Sequence, residues 1–417
     1  MGNFTRNHYV PEWYQYRFFE GNEDEKKFFY LDMKPEAIPA PNGKRYTRKS
    51  ILRWGPPRCF YEDHLYTTRF SGWESTEIEE KFFGKLDTNG KKALEYFTNF
   101  EHPSVDHQAF HDFLPFISVQ RIRTPKGLSY LASLINSKNK NRLLIEMQQL
   151  HMMHCAIWTE CVWSIVDASE ATTKFIVSDN PVTVYNQACF PGSSWCRGNG
   201  DPGIWLNGTH TIYPLSISKA LILTNLSWAR NSYANPLKER PHSALFRPAM
   251  FKFADIQTGR MLTDQDVIII NHILKSRASR YIAAAREEWL YPEKHIKNLR
   301  WDKIGKSYLL MPDPRSMSFS SEIIIGYDNK RADLFDEYGR KPWHEDYNDK
   351  ERSEYEWETF HAFQGEYARL FGPRRRGISF EFGGKTKLVD SDDYHKYHLS
   401  LEQRCKARMR RWKHGKG

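Results

Sequence analysis

The sequence has little of what marks a membrane-spanning or disulfide-stapled protein. No apolar run in its 417 residues reaches the roughly 20 residues that a bilayer-spanning helix needs. The opening segment, Met1 to Val10, is polar and has no apolar stretch of the kind a secretory signal carries, so a cytoplasmic location is expected. Six cysteines (Cys59, Cys155, Cys161, Cys189, Cys196 and Cys405) are too few for a disulfide framework in a chain this long, and reduced thiols suit the same location. The usual signatures of catalysis are missing too. There is no Walker loop, no Gly-x-Ser-x-Gly elbow, no dinucleotide fingerprint and no His-Glu-x-x-His zinc motif. The five glycines Gly192, Gly198, Gly200, Gly203 and Gly208 do not lie between a strand and a helix, as a phosphate cradle requires. No internal repeat is visible.

What is present is a large apolar and aromatic complement. Hydrophobic residues make up 40% and aromatics 15%, enough to bury a substantial core and to exclude global disorder. The formal net charge is +10, which favours a polyanionic partner such as nucleic acid.

Periodicity divides the chain coarsely. Helices are expected over 110–122, 128–162, 263–290 and 352–370. A further one over 78–97 opens on the capping box Thr76-x-x-Glu79 and is broken in two at Asn89-Gly90. Strands are expected over 28–32, 163–168, 175–185, 211–214 and 220–224, with 187–210 an excursion between them. The expected fold class is therefore α+β: a helical N-terminal half packed on a central, mainly antiparallel sheet. Residues 1–290 form the core domain, and 291–417 form a polar, peripheral C-terminal extension ending in a basic tail.

The stretch Lys174 to Tyr185 has β-rich flanks around a polar knuckle, Ser178-Asp179-Asn180-Pro181. Pro181 cannot donate to a ladder and marks an edge, bulge or bend. Two readings of Asp179 stand side by side. It builds an Asx turn, accepting a backbone N–H two residues on, or it is a site carboxylate held at a strand break.

Four segments taken in order resemble a known family. They are Asn7-His8-Tyr9-Val10-Pro11, Gln120-Arg121-Ile122-Arg123-Thr124-Pro125, Ser178-Asp179-Asn180-Pro181-Val182, and Asn271 with Arg280-Tyr281. Together they resemble a bacterial family catalogued as domain of unknown function four-two-three-eight, over roughly residues 1–290. Where members carry a Tyr-Leu-Arg-type helix after the opening motif, this chain reads Tyr14-Gln15-Tyr16-Arg17. The resemblance implies a bacterial cytoplasmic protein whose shared polar residues are His8, Gln120, Arg123, Asp179 and Asn271. It implies no reaction.

These residues suggest a nucleic-acid-directed hydrolase of nuclease type, a toxin or anti-phage effector. His8 would act as general acid or base, Arg123 would stabilise transition-state charge, and Asp179 would bind a divalent metal ion or orient the base. Gln120 and Asn271 would bind substrate. Gln120 and Arg123 are three apart and share a helix face, where arginine can clamp a phosphate. The bland readings are that His8 tucks under the first helix and that Arg123 pairs with Asp179. His151, His154 and Cys155, with Glu146 and Glu160 nearby, have ligand spacing, but their apolar neighbours read as core. The basic tail offers Arg410, Arg411 and Trp412 to a polyanion, or is simply solvated. The alternative function is a non-catalytic binder of nucleic acid or of a protein partner. Three expectations follow. His8, Gln120, Arg123 and Asp179 line one cleft. Removing 404–417 leaves the fold intact. Asp179→Asn abolishes activity with little change in melting temperature.

Overall fold

The computed structural model describes residues 6–21, 26–39, 44–70, 73–75, 82–102, 105–196, 200–241, 255–304, 308–319, 322–347, 349–379 and 389–414, with the backbone alone for 68–70, 73–75, 140, 148–153, 379 and 411–414. The expected capping box at Thr76 and Glu79 lies outside these residues. In chain order the N-terminal part holds β1 (Arg6–His8), α1 (Glu12–Gln15), β2 (Phe28–Asp32), β3 (Ala37–Pro39), β4 (Arg45–Thr47), β5 (Ile51–Trp54), β6 (Tyr61–Asp63), β7 (Thr68–Phe70) and β8 (Trp73–Ser75). The helices α2 (Gly84–Thr98), α3 (His107–Ile122), α4 (Pro125–Leu134) and α5 (Lys140–Thr159) follow. Next come β9 (Cys161–Asp167), β10 (Val177–Ser178), β11 (Thr183–Asn186), β12 (Thr209–Pro214), β13 (Lys219–Asn225), α6 (Leu226–Arg230), β14 (Gln257–Met261), α7 (Asp264–Arg277) and β15 (Tyr281–Ala284). The chain closes with α8 (Trp301–Ile304), β16 (Ile323–Gly326), β17 (Ala332–Phe335), α9 (Lys350–Phe371), β18 (Ile378–Ser379) and α10 (Asp392–His414).

Two sheets organise this mixed α+β fold. The larger has the order β11-β12-β13-β9-β14-β18 and is antiparallel except where β14 runs parallel to β9. The smaller is antiparallel, in the order β10-β15-β2-β5. Strand β9 explains the layering. Its residues alternate faces, and both faces are covered, so it reads as a nearly continuous apolar run. Trp163 packs against Phe97, Phe110 and Phe113 of α2 and α3. Its neighbour Val162 points into a second cluster with Leu226 and Ala229 of α6 and Phe360 of α9. The large sheet is thus sandwiched between the N-terminal helices and the α6/α9 layer. Phe113 is wholly buried, and cutting it to alanine would cost about 3–5 kcal/mol.

Three expectations about elements change. First, α2 runs through Asn89-Gly90 without a break, because Gly90 sits where α2 and α3 touch. A Cβ there would lie 2.3 Å from the Phe116 ring, so this glycine serves close packing and not a turn. Second, 128–162 is not one helix: Thr124 caps α4 with Pro125 in its first turn, and Asn139 caps α5. Third, α7 stops at Arg277 and does not reach 290, since Ala278 is extended (φ −65°, ψ 149°) and the chain enters β15.

The C-terminal segment is attached by more than its chain connection. β18 pairs with β14, and Phe363 and Tyr367 of α9 share a cluster with Trp228 and Met311. Leu401, Cys405 and Met409, four residues apart on α10, pack on Ala362 of α9. Gly365 permits the approach, because a Cβ there would meet the backbone N of Glu402 at 2.5 Å. The basic tail is therefore the end of a docked helix, and no described helix is long and apolar enough to cross a membrane.

Candidate functional site

The polar knuckle is where the chain passes from one sheet to the other. Val177–Ser178 belongs to the small sheet and Thr183–Asn186 to the large one, with Asp179 to Val182 between them. The local turn bond is made by Ser178, whose Oγ accepts from Asn180 N–H at 3.2 Å. Asp179 reaches further. Its Oδ1 accepts from Ser279 N–H at 2.7 Å, and its Oδ2 accepts from Arg280 N–H at 2.6 Å and Tyr281 N–H at 2.8 Å. This carboxylate takes up the N–H groups freed where α7 ends, and so sets the start of β15. Burial pushes its pKa above the usual carboxylate value, while the three N–H donors and Lys126 pull it back.

Beside it lies a buried ionic knot. Lys126 Nζ donates to Asp201 Oδ1 at 2.7 Å and to the Arg277 carbonyl at 2.5 Å. Asn180 Nδ2 donates to Asp201 Oδ2 at 3.4 Å, and Arg121 Nη1 donates to the Val182 carbonyl at 3.2 Å. These bonds tie the start of α4, the knuckle and the end of α7 together.

The other sequence candidates are equally engaged. Gln120 Nε2 donates to the Tyr9 carbonyl at 2.7 Å, and its Oε1 accepts both Nε and Nη2 of Arg123. Arg123 Nη1 lies 2.9 Å from Asp87 Oδ1, so the guanidinium pairs with Asp87 and not with Asp179. His8 Nδ1 lies 3.3 Å from Glu12 Oε1. Burial lowers its pKa against the pull of Glu12 and of the Pro57 and Pro56 backbone, and its Nε2 is buried. Tyr9 links the two groups: burial raises its phenol pKa, and the nearby Asp179 charge adds to the effect. Gln120 and Arg123 are thus joined to the Tyr9 backbone and Asp179 acts on the Tyr9 phenol, but His8, Gln120, Arg123 and Asp179 line none of the pockets described below.

Asn271 donates to the Lys174 carbonyl at 2.8 Å and accepts from Ile176 N–H at 3.2 Å, standing in for a strand partner of 174–176. It also borders a pocket of about 430 Å³ with Asp264, Arg286 and His295. His154 is buried with Nδ1 3.3 Å from Ser118 Oγ, and burial pushes the Cys155 thiol up to about 12. The His151 side chain is outside the described residues, and among those described no cluster of three His, Cys, Asp or Glu side chains could hold a metal ion. On α10, Lys406 bonds Glu366 and Glu402 at 2.8 Å each and Arg408 pairs with Glu358, while Arg410 is exposed. The side chains of Arg411 and Trp412 are not described.

Sequence reasoning missed an enclosed pocket of about 250 Å³ lined by Tyr185, Gln187, Gly208, His210, Trp228, Ser232, Tyr308, Leu310 and Met311. Its chemistry turns on His210. Burial drives the imidazole pKa down to about 3, so the ring is neutral. Its Nδ1 lies 2.9 Å from Thr224 Oγ1, which in turn lies 3.3 Å from the Leu310 carbonyl. Nδ1 is thus engaged with the threonine hydroxyl, and Nε2 is the ring nitrogen left for a ligand. Aromatic walls, one neutral imidazole nitrogen and the Gln187 amide suit a planar ligand with a hydrogen-bonding edge. A larger and more open pocket, about 940 Å³, lies along α2 between Trp13, Lys91, Lys92 and Glu95.

Residues 132–288 match the family model described as a protein of unknown function, DUF4238. The matched segment holds Asp179, His210 and Asn271. It leaves out His8, Gln120 and Arg123, and the whole C-terminal segment. The DUF4238 match thus spans the crossing between the two sheets and one wall of the His210 pocket. No curated protein matches the chain, and no solved structure does.

Proposed function

We propose that the chain is a non-catalytic nucleic-acid-binding protein that takes one base into the His210 pocket. The observation that carries this reading is the neutral His210 ring, whose Nδ1 is held by Thr224 and whose Nε2 is left for a ligand among Tyr185, Trp228 and Tyr308. A nucleobase supplies a hydrogen-bonding edge and a face for stacking. The net charge of +10 supports attraction to a phosphate backbone. The hydrolytic reading needs His8, Arg123 and Asp179 open to substrate. Arg123 and Asp179 spend their polar atoms within the fold, and His8 Nε2 is buried. A histidine with a pKa of about 3 is also too weakly basic to serve as a general base at neutral pH. The six buried cysteines, none of them in a disulfide, fit a cytoplasmic setting.

The test is a tryptophan-fluorescence titration with nucleosides and with short single-stranded RNA and DNA. Wild type should bind, and His210→Phe, which keeps a ring of similar volume but removes the ring nitrogens, should weaken binding by about 5–10-fold while staying folded. Gln187→Ala provides a second, milder variant. No binding by wild type, or equal binding by His210→Phe, removes the reading. Cleavage of the oligonucleotide by wild type would restore the hydrolase.

A further inference from the structure

Between β14, the end of α9 and the segment 311–315 lies a buried cluster with more positive than negative charge. Four guanidiniums (Arg260, Arg315, Arg375 and Arg376) meet two carboxylates, Asp313 and Asp390, among the described residues. Asp313 is saturated: it accepts from Arg315 N–H and Nε at 2.9 Å each, from Arg315 Nη2 at 2.7 Å, and from Arg376 N–H at 3.0 Å. Asp390 is held by Arg375 Nε at 2.8 Å; among the described residues its Oδ2 makes no hydrogen bond and lies 3.6 Å from Arg315 Nη1 and 3.9 Å from His398 Nδ1, and it forms no ion pair with Arg260 or Arg376. Asp266, the other acid that influences Arg260, is committed to the N-terminal cap of α7.

The consequence falls on Arg260. It is 5% exposed, and only Nη1 is used, at 3.3 Å from the Met311 carbonyl. Nε and Nη2, the edge of the guanidinium that grips oxyanions in a fork, are buried with no partner. Arg376 Nη1 and the Tyr367 hydroxyl are buried and unpartnered as well. Arg376 depresses the Arg260 pKa, and both arginines act on the Tyr367 phenol. An uncompensated buried guanidinium is costly, and three sets of orphaned donors in one place share a single remedy.

We propose that Arg260, Arg376 and Tyr367 form an internal binding site for a phosphate-class oxyanion. The fork of Arg260 would hold two oxygens, with Arg376 Nη1 and the Tyr367 hydroxyl on the others. Since Arg260 lies on a central strand, Tyr367 on α9 and Arg376 next to β18, the anion would fasten the C-terminal segment to the sheet. The site shares no lining side chain with the base-binding reading except through the neighbouring Met311 backbone, and it stands or falls separately.

The test is a thermal melt of the full chain in phosphate-free buffer and in about 10 mM inorganic phosphate at constant ionic strength, with chloride as the control. Wild type should gain about 2 °C or more in phosphate and nothing in chloride. Arg260→Met should lose the gain while melting no lower than wild type in phosphate-free buffer, because an unpaired buried charge is gone. Tyr367→Phe, which deletes one hydroxyl, should fold and show a reduced gain, and it keeps the test open if Arg260→Met does not fold. A nucleoside 5′-monophosphate arm, run beside the unphosphorylated nucleoside, distinguishes an esterified phosphate from the free ion. A response to either source supports the site. No phosphate response in wild type, an equal response to chloride, or an undiminished response in Arg260→Met overturns it.

Discussion

Asp179 changes meaning once its partners are known. From the sequence, Asp179→Asn should abolish activity and leave the melt nearly unmoved. The structure gives its carboxylate three backbone N–H donors, and an amide in its place would turn an NH₂ group towards at least one of them. We expect Asp179→Asn to lose about 2–3 kcal/mol, read by urea denaturation, with binding at the His210 pocket falling only as far as folded protein is lost. A folded, fully stable variant would contradict this. His210 makes a prediction about pH. Its pKa is about 3 in the fold and near the ordinary imidazole value of 6.5 when unfolded. The folded value is depressed, so from about pH 6.5 downwards the unfolded chain binds a proton that the folded chain does not. Stability therefore falls with decreasing pH across that window, by up to ~1.4 kcal/mol per unit. His398, lowered to about 4 by burial, acts in the same direction. Comparing wild type with His210→Gln by denaturant titration between about pH 7 and 4.5 isolates one histidine, and the variant should have the shallower slope.

At the level of elements, the α2–α3 contact is the sharpest place to probe. Gly90→Ala places a methyl against the Phe116 ring, so a change that normally favours a helix should here cost about 1–3 kcal/mol. A stabilised Gly90→Ala protein would mean that the two helices are further apart. The same site illustrates what the sequence could convey. Elements with one strong local pattern were legible: 28–32 is β2, 110–122 falls within α3, 220–224 within β13 and 352–370 within α9. Asn89-Gly90 misled because its turn signal is local, while the reason for the glycine is a phenylalanine on another helix. The run 175–185 misled because its β propensity is real, but the strand is divided between two sheets. The early end of α7 was not readable, since the group that captures the next N–H donors is Asp179, about a hundred residues away.

For the whole molecule, the C-terminal helix is a load on the fold and not a loose appendage. Deleting 404–417 takes Cys405 and Met409 out of the α9–α10 contact and breaks the Lys406 and Arg408 pairs, so the truncated chain should melt several degrees lower than wild type. The cleaner test of tail electrostatics is Arg410→Gln, an exposed position whose loss should spare the melt. If Arg410 meets phosphate, the salt dependence of oligonucleotide binding should drop by about one unit of slope. The candidate sites were illegible for a different reason from the fold. The His210 pocket draws on 185–187, 208–210, 228–232 and 308–311, and the arginine cluster on 260, 313–315, 367 and 374–376. No spacing along the chain joins such segments, and His210 between two threonines reads as ordinary strand alternation. The crossing at Asp179 also has a consequence for hydrogen exchange. A strand that serves two sheets cannot be released from one without disturbing the other. The amides of Ser279, Arg280 and Tyr281 should exchange only as slowly as the centres of both sheets, through a shared global opening.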